Sequence, residues 1–304
     1  MKRSKTEIQL EIKDMDNVYK KTTINIVMAV NKAFLKPLKV AFKSLVENSE
    51  NSFKLFLLNS SLKENELKEL NNFISTKCNS EFEVIDIDES LFVGFPLNSK
   101  QFSMETYYRV FIQYFLPMDI ERCMWLDADT LILSDISCYY FQNLKGRSIS
   151  ACLDINEEFL KSHKKKLGLL NNNYFNAGVI LFDLNKVRNK LSSTEIQSVM
   201  KQYSTELYYN DQDLLNILFC GDIFFYDKSL NYQLFDNLNN IKAEHISILH
   251  FVGRIKPWNY KYINKQKYLY WRYAKDVYGS LAYLKFLFLT CIYSTIKRFY
   301  LKLK

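Results

Sequence analysis

Glycine and proline are scarce in this chain, at 7 and 4 of 304 residues, which argues against low-complexity linkers. Its six cysteines, at positions 78, 123, 138, 152, 220 and 291, form no C-x-x-C pair and no zinc-type spacing. Cys123 and Cys152 fall inside apolar, strand-like runs, where small buried thiols are ordinary, so the chain reads as a protein of a reducing compartment. Residues 1–23 are polar and mixed in charge, without the apolar core of a secretory signal. They read as a solvated extension (residues 1–22). The one long apolar stretch, residues 281–296, is interrupted by Lys285 and is shorter than the ~20 residues needed to span a bilayer. What is abundant is aromatic: 21 Tyr and 23 Phe, with 48% hydrophobic and 24% charged residues overall, a globular composition. The net charge of +8 suits nucleic acid, anionic lipid or a phosphorylated ligand.

Residues 23–30 are rich in β-branched and apolar side chains and predict a buried first strand. Residues 34–48 carry apolar groups at helical spacing, with Pro37 tolerable in the first turn. Strands are expected at 53–58 and 82–87. Between them, Ser61-Leu62-Lys63-Glu64 fits a capping box that opens a helix to about Ile74. This βαβαβ rhythm predicts an α/β fold, a doubly wound, mostly parallel sheet flanked by helices. Further on come a Tyr-rich helix over 105–115 stopped by Pro117, strands at 148–153 and 176–184, and a helix over 192–203. A second helix over 210–219 is expected to be capped by Asn210 and closed by Gly221. A late strand at 246–251 delivers His250. The lysine run 161–166 reads as a solvated helix face or loop.

The chemistry concentrates at element ends. In Cys123-Met124-Trp125-Leu126-Asp127-Ala128-Asp129, an apolar strand ends in two carboxylates one residue apart. Alternation along a strand points both the same way, at the sheet edge where open α/β folds bind ligands. Two such acids repel unless a cation lies between them, and oxygen ligands suit Mg²⁺ or Mn²⁺ bridging to phosphate. Three further segments belong with them: Tyr174-Phe175-Asn176-Ala177-Gly178-Val179, Asn210-Asp211-Gln212-Asp213, and His250-Phe251-Val252-Gly253-Arg254-Ile255-Lys256. Asp211 suits a helix N-terminus on its own, whereas Gln212 has no such structural reason to be there. His250 would add nitrogen to the metal set and favour Mn²⁺. Gly253 lets backbone approach a ligand, and Lys256 offers a point charge to a diphosphate.

With these segments, and with Phe92-Val93-Gly94-Phe95-Pro96-Leu97-Asn98 and Thr106-Tyr107-Tyr108-Arg109, the chain resembles the retaining glycosyltransferases of family 8 over residues 24–258. The likeness is strongest to bacterial lipooligosaccharide α-galactosyltransferases. The resemblance implies a GT-A domain, here residues 23–262, that binds a UDP-hexose and moves galactose or glucose to a saccharide or glycolipid acceptor. It implies that Asp127, Asp129 and His250 ligate Mn²⁺ (or Mg²⁺) and that Gly253 and Lys256 contact the diphosphate. Arg109, Asp127, Ala128, Asp129, Asn176, Asp211 and Gln212 would surround the donor, Ala29 and Asn31 would line the uridine pocket, and Asp154 would lie near the acceptor. The chain departs from the pattern at Asn31-Lys32, where the family often has an acid, and at Gln101, where close relatives carry a histidine. The resemblance further implies retention of anomeric configuration. A double displacement would need a carboxylate nucleophile, and Gln212 is an amide. The expected course is therefore attack from the leaving-group face through an oxocarbenium-like ion pair, with Gln212 positioning the sugar and Asp211 the rival nucleophile.

Lys297, Arg298, Lys302 and Lys304 follow the last apolar stretch with no acid nearby. Residues 263–304 are therefore expected to form a basic-aromatic helical tail lying on an anionic membrane surface, with the enzyme cytoplasmic and peripheral to the inner face of the plasma membrane. No nucleic-acid partner is expected, because the basic excess lies largely in the tail. The alternative is a haloacid-dehalogenase-like, Mg²⁺-dependent phosphatase using Asp127 as nucleophile, with Gly221-Asp222 and Asp227 as its late acidic motif.

Overall fold

The structure, a computed structural model, describes residues 23–77, 80–97, 103–235 and 245–302. The expected extension over residues 1–22, and Asn98 and Gln101, lie outside them. In chain order the strands are β1 (Thr23–Ala29), β2 (Ser52–Asn59), β3 (Ser80–Asp86), β4 (Arg122–Leu126), β5 (Thr130–Ile132), β6 (Ile149–Leu153), β7 (Phe175–Asp183), β8 (Ile223–Phe225), β9 (Tyr232–Gln233) and β10 (Ile248–His250). Seven of them form the main sheet in the order β3-β2-β1-β4-β7-β6-β8. All neighbours run parallel except β7, which is antiparallel to both β4 and β6. Helices cover both faces, as a parallel sheet requires. Alternation along β4 shows it: Cys123 and Trp125 enter one core with Val27, Ile180 and Phe182, while Met124 and Leu126 enter the other with Ile26, Val179 and Leu181.

A second, three-stranded sheet, β5-β10-β9, sits at the carboxyl end of β4. Its register sets His250 opposite Thr130 of β5 and Gln233 of β9, and Phe251 N–H donates to Asp129 C=O at 2.9 Å. Fold and site are joined at this point. Another irregularity serves the same edge: the β6–β7 register jumps from Ala151↔Ile180 to Cys152↔Asn176, so Ala177 to Val179 bulge out of that ladder. Bulges of this kind re-aim side chains beside active sites.

Three local expectations change. The helix expected to start at Ser61 begins at Glu64 and runs to Ser75, and its cap is the Glu66 side chain accepting from Lys63 N–H at 2.9 Å. Ser61 is engaged elsewhere, donating to Glu105 at 3.2 Å. The Tyr-rich segment is a tighter 3₁₀ helix over Met104–Phe111 that becomes α only at Ile112–Phe115. The helix Asp211–Leu218 has Asn210 at its N-cap position, but the Asn210 side chain makes no cap bond and its backbone lies at φ 47°. That left-handed conformation is uncommon for a non-glycine residue.

The chain beyond residue 262 divides. The helix Lys267–Tyr278 buries Tyr270, Trp271, Tyr273 and Ala274 against Val40, Leu131, Leu249 and Phe251. It is fastened by an ion pair from buried Lys43 to Asp276 and by Asn48 Nδ2 donating to Tyr273 Oη at 3.0 Å. Gly279, at φ 89°, then turns the chain into the helix Ser280–Lys302. A further brace sits before β4: the Arg188 guanidinium donates to the carbonyls of Gln113, Leu116, Pro117, Met118 and Ile120 at 2.8–3.3 Å. It meets the orphan acceptors of a helix end.

Trp271→Ala should lower unfolding free energy by about 3 kcal/mol or more, the usual cost of emptying a buried aromatic site. Phe288→Ala, on the exposed face of the last helix, should change it by under about 0.5 kcal/mol. Chemical denaturation checks both, and equal effects would mean that Lys267–Tyr278 is not part of the cooperative core.

Candidate active site

β4 ends at Leu126, and the next three residues form the turn into β5. Asp127 N–H donates to Gly178 C=O at 2.9 Å, and Thr130 N–H closes the turn onto Asp127 C=O at 3.1 Å. Trp125 Nε1 donates to Asp127 Oδ1 at 2.8 Å, and Arg109 approaches the same oxygen at 3.1 Å. That leaves Oδ2 turned toward the His250 ring, 3.9 Å from Nε2. Asp129 Oδ1 lies 3.2 Å from the same nitrogen, and its Oδ2 pairs with Lys256 at 2.5 Å. Burial works against the ionised form of Asp129, but the charges of Lys256 and His250 hold its carboxyl well below the usual carboxylate range.

One ligand atom from each of Asp127, Asp129 and His250 falls within 4.8 Å of the others. Two carboxylates and an imidazole so gathered fit a divalent cation of the Mn²⁺ or Mg²⁺ type. The histidine is oriented from behind: Asn231 Oδ1 meets Nδ1 at 2.9 Å, turning Nε2 to the acids, the usual device for fixing a ligand ring. Asn231 Nδ2 in turn donates to Asn176 Oδ1 at 2.9 Å. The imidazole lies directly on Gly178, where an added Cβ would come within 2.1 Å of Cε1. Glycine at this position is therefore a spatial requirement of the histidine.

Arg109, 5% exposed, is the other organiser. It stacks on Trp125 at 4.6 Å, donates to Thr106 C=O and Ala177 C=O, and pairs with Asp211 at 3.0 Å as well as with Asp127. One guanidinium thus serves two carboxylates through two different nitrogens, a fixed fork that the single ammonium of lysine does not reproduce. Burial pushes the Asp211 carboxyl up to about 6; Arg109 opposes that rise and the Asp127 charge adds to it. Gln212 Oε1 accepts from Ala177 N–H (3.0 Å) and Asn176 Nδ2 (3.2 Å), while its Nε2 donates to Asp154 Oδ2 at 3.1 Å.

These groups line one cleft of about 830 Å³. Every residue expected of the site lines it: Ala29, Asn31, Arg109, Asp127, Ala128, Asp129, Asp154, Asn176, Asp211, Gln212, His250, Gly253 and Lys256. The sequence profile described as glycosyl transferase family 8 matches residues 25–262. The chain belongs to glycosyl transferase family 8. Glycosyltransferase GlyF of Streptococcus pneumoniae is 26% identical over 85% of this chain and 63% of its own length. The lipopolysaccharide 1,3-galactosyltransferase of Salmonella typhimurium is 29% identical over 53% of this chain and 51% of its own. The chain thus spans between half and two thirds of the length of those two relatives. Among solved structures, galactosyltransferase LgtC in complex with donor and acceptor sugar analogs superposes with a TM-score of 0.73 at 24% identity, covering 83% of this chain and 96% of that one. The fold is GT-A.

Around the family 8 site the structure adds residues that sequence reasoning missed: Asn231, Gly178 as the seat of His250, Trp125, and Gln233. The Gln233 amide brackets the turn that presents Asp154, donating to Leu153 C=O at 2.8 Å and accepting from Ile155 N–H at 3.3 Å. The departure at Lys32 has a local reason, an ion pair with Glu66 at 2.7 Å. Asn31 accepts from Ala33 N–H at 3.1 Å and so caps the short turn after β1.

Gly178→Ala should displace the imidazole and weaken Mn²⁺ binding by about 10- to 100-fold, the range seen when ligand orientation is lost. Calorimetric titration with Mn²⁺ measures it. An unchanged affinity would show that His250 does not hold the ion.

Proposed function

We propose that this chain is a metal-dependent hexosyltransferase that moves galactose or glucose from a UDP-sugar to a saccharide or glycolipid acceptor, with retention, in lipopolysaccharide or other surface-glycan assembly. One observation carries it: Asp127, Asp129 and His250, from segments more than 120 residues apart, meet beside Lys256, Arg109 and Gln212 in a single cleft. Family membership supplies the reaction class, and the lipopolysaccharide glycosyltransferases among its relatives supply the setting.

Asp127, Asp129 and His250 would hold Mn²⁺ or Mg²⁺, which when bound supplies Lewis-acid stabilisation to a departing diphosphate. Lys256 is positioned to share that charge, and the backbone at Gly253 lets phosphate oxygens come close. Arg109 keeps Asp211 and Asp127 in fixed places against the donor sugar. Asp211 is 3% exposed and bonded to Arg109, a poor situation for a nucleophile. Both lone-pair directions of Gln212 Oε1 are already used. The proposal is therefore that the acceptor attacks from the leaving-group face through an oxocarbenium-like ion pair, a diphosphate oxygen takes the acceptor proton, and Gln212 positions the sugar. Asp154, bonded to both Gln212 and Asn176, lies between donor and acceptor sides. The phosphatase reading has less support: Asp222 is taken up by Lys190 and Ser148 N–H, Asp227 by Ser229 N–H, and neither lines the cleft.

The last helix supports the membrane part of the proposal. Leu281, Leu284, Phe288, Ile292 and Ile296 are exposed at spacings of three or four, while Phe286 and Thr290 face inward. Among the described residues no helix is long and apolar enough to cross a membrane. An apolar stripe followed by Lys297, Arg298, Lys302 and Lys304 suits the inner, anionic face of a plasma membrane, where each basic residue contributes about 1 kcal/mol.

UDP with Mn²⁺ at about a hundredfold excess over Kd should stabilise the fold by about 2.7 kcal/mol, on the order of 5 °C in melting temperature for a chain of this size. Asp127→Asn should abolish that shift, and Mn²⁺-dependent hydrolysis across a panel of UDP-sugars names the donor. A shift with beryllofluoride and none with UDP would favour the phosphatase. Separately, Leu284→Glu with Phe288→Glu should release the protein from phosphatidylglycerol vesicles in a sedimentation assay; partition equal to the parent chain sinks the membrane contact.

A further inference from the structure

Behind Gln212 lies a buried group of polar side chains that the reaction scheme above leaves unused. Asp213 is 0% exposed and accepts on every side. Its Oδ2 takes the backbone N–H groups of Tyr208 and Tyr209, each at 2.7 Å. Its Oδ1 takes His163 Nε2 at 2.7 Å and the Tyr174 hydroxyl. Tyr174 is the link forward, because Gln212 Nε2 donates to its oxygen at 3.4 Å. Burial and the Asp213 charge push the Tyr174 phenol well above its ordinary pKa, so the proton stays on the ring oxygen.

A phenol has one proton to give. Here it goes to Asp213, a carboxylate that can only accept, so toward Gln212 the Tyr174 oxygen has lone pairs alone. It must therefore face the amide NH₂ and not the carbonyl. With NH₂ so placed, Oε1 is turned to Ala177 N–H and Asn176 Nδ2, the orientation observed. We infer that Asp213 is a positioning residue that, through the direction of the Tyr174 hydrogen bond, acts with Ala177 N–H and Asp154 to fix which end of the Gln212 amide faces the strand bulge and which faces Asp154. The inference rests on the reading of Gln212 as the sugar-positioning group and extends it to Tyr174, Asp213 and His163, with His163 holding the shared oxygen from the helix Glu157–Lys166.

The geometry makes an unusual demand on mutants. In Asp213→Asn the amides of Tyr208 and Tyr209 still need an acceptor, so the new NH₂ points at Tyr174. The phenol must then turn its own proton toward Gln212 and compete for Oε1. Removing the phenol oxygen as well abolishes that conflict. Asp213→Asn should therefore lower kcat for Mn²⁺-dependent UDP-hexose hydrolysis by about tenfold or more, with UDP affinity little changed. Tyr174→Phe alone should cost less, and Asp213→Asn with Tyr174→Phe should recover to the level of Tyr174→Phe.

A brace without this directional role predicts that the two losses add, and a double variant slower than Asp213→Asn overturns the inference. The second measurement needs no activity. With ¹⁵N-labelled glutamine, the Gln212 NH₂ resonances should move in Asp213→Asn and in Tyr174→Phe, and should coincide in Tyr174→Phe and the double variant. Resonances that stay at wild-type positions in Tyr174→Phe, which keeps the ring and does not depend on Asp213→Asn folding, overturn it as well. Absence of hydrolysis of every UDP-hexose by the wild-type protein would count against the proposed reaction, while the resonance test still decides the role of Asp213.

Discussion

The arrangement from which the rest of the cleft follows is the meeting of two aspartates and a histidine at the end of β4. Carboxylates removed from water and held near each other lose hydration and repel, and neither loss is recovered unless positive charge or donors come to them. The chain brings both. Arg109 and the Trp125 indole take one oxygen of Asp127; Lys256 and His250 take both oxygens of Asp129. Much of the architecture follows from keeping these donors in reach. The small β5-β10-β9 sheet begins at Thr130, directly after Asp129, and its register is what delivers an imidazole from position 250 to a carboxylate at position 129.

Two further constraints descend from that one. The histidine ring needs a floor without a side chain, and the bulge in β7 supplies it at Gly178 while turning Asn176 into the cleft. Asn176 then connects the His250 side of the cleft to the Gln212 side, since its Oδ1 accepts from Asn231, which orients His250, and its Nδ2 donates to Gln212 and Asp154. A change anywhere along this line is felt at both ends, because the donors and acceptors of the Asn176 and Gln212 amides are all in use.

How much of this could be read beforehand depends on how local the cause is. The β1 to β3 strands and their helices are visible as apolar periodicity, and Asp127 and Asp129 as an i, i+2 pair at a strand end, because those properties belong to a few consecutive residues. Family likeness reached further lining residues such as Ala29, Arg109, Asn176 and Gln212, but not Trp125 or Gln233. Local motifs misled where a tertiary partner outbid them: Ser61 looks like a cap, yet its hydroxyl is drawn to Glu105, and the helix starts three residues later, at Glu64, with Glu66 supplying the cap. Asn210 looks like a cap too, and instead takes a left-handed backbone at the turn that presents Asp211 and Gln212. Asn231, Tyr174 and His163 carry no short-range signal. Their meaning lies in which atom of a distant side chain they face.

Trp125 has a property beyond its share in the core. Its ring is the platform for Arg109 and its N–H is held by Asp127, so the indole is tied to the two charges that any cation or diphosphate in the cleft must disturb. The chain has three tryptophans, and this one is wired into the chemistry. A ligand that shifts Arg109 or Asp127 therefore changes the surroundings of this indole, through the same contacts that keep the acids in place.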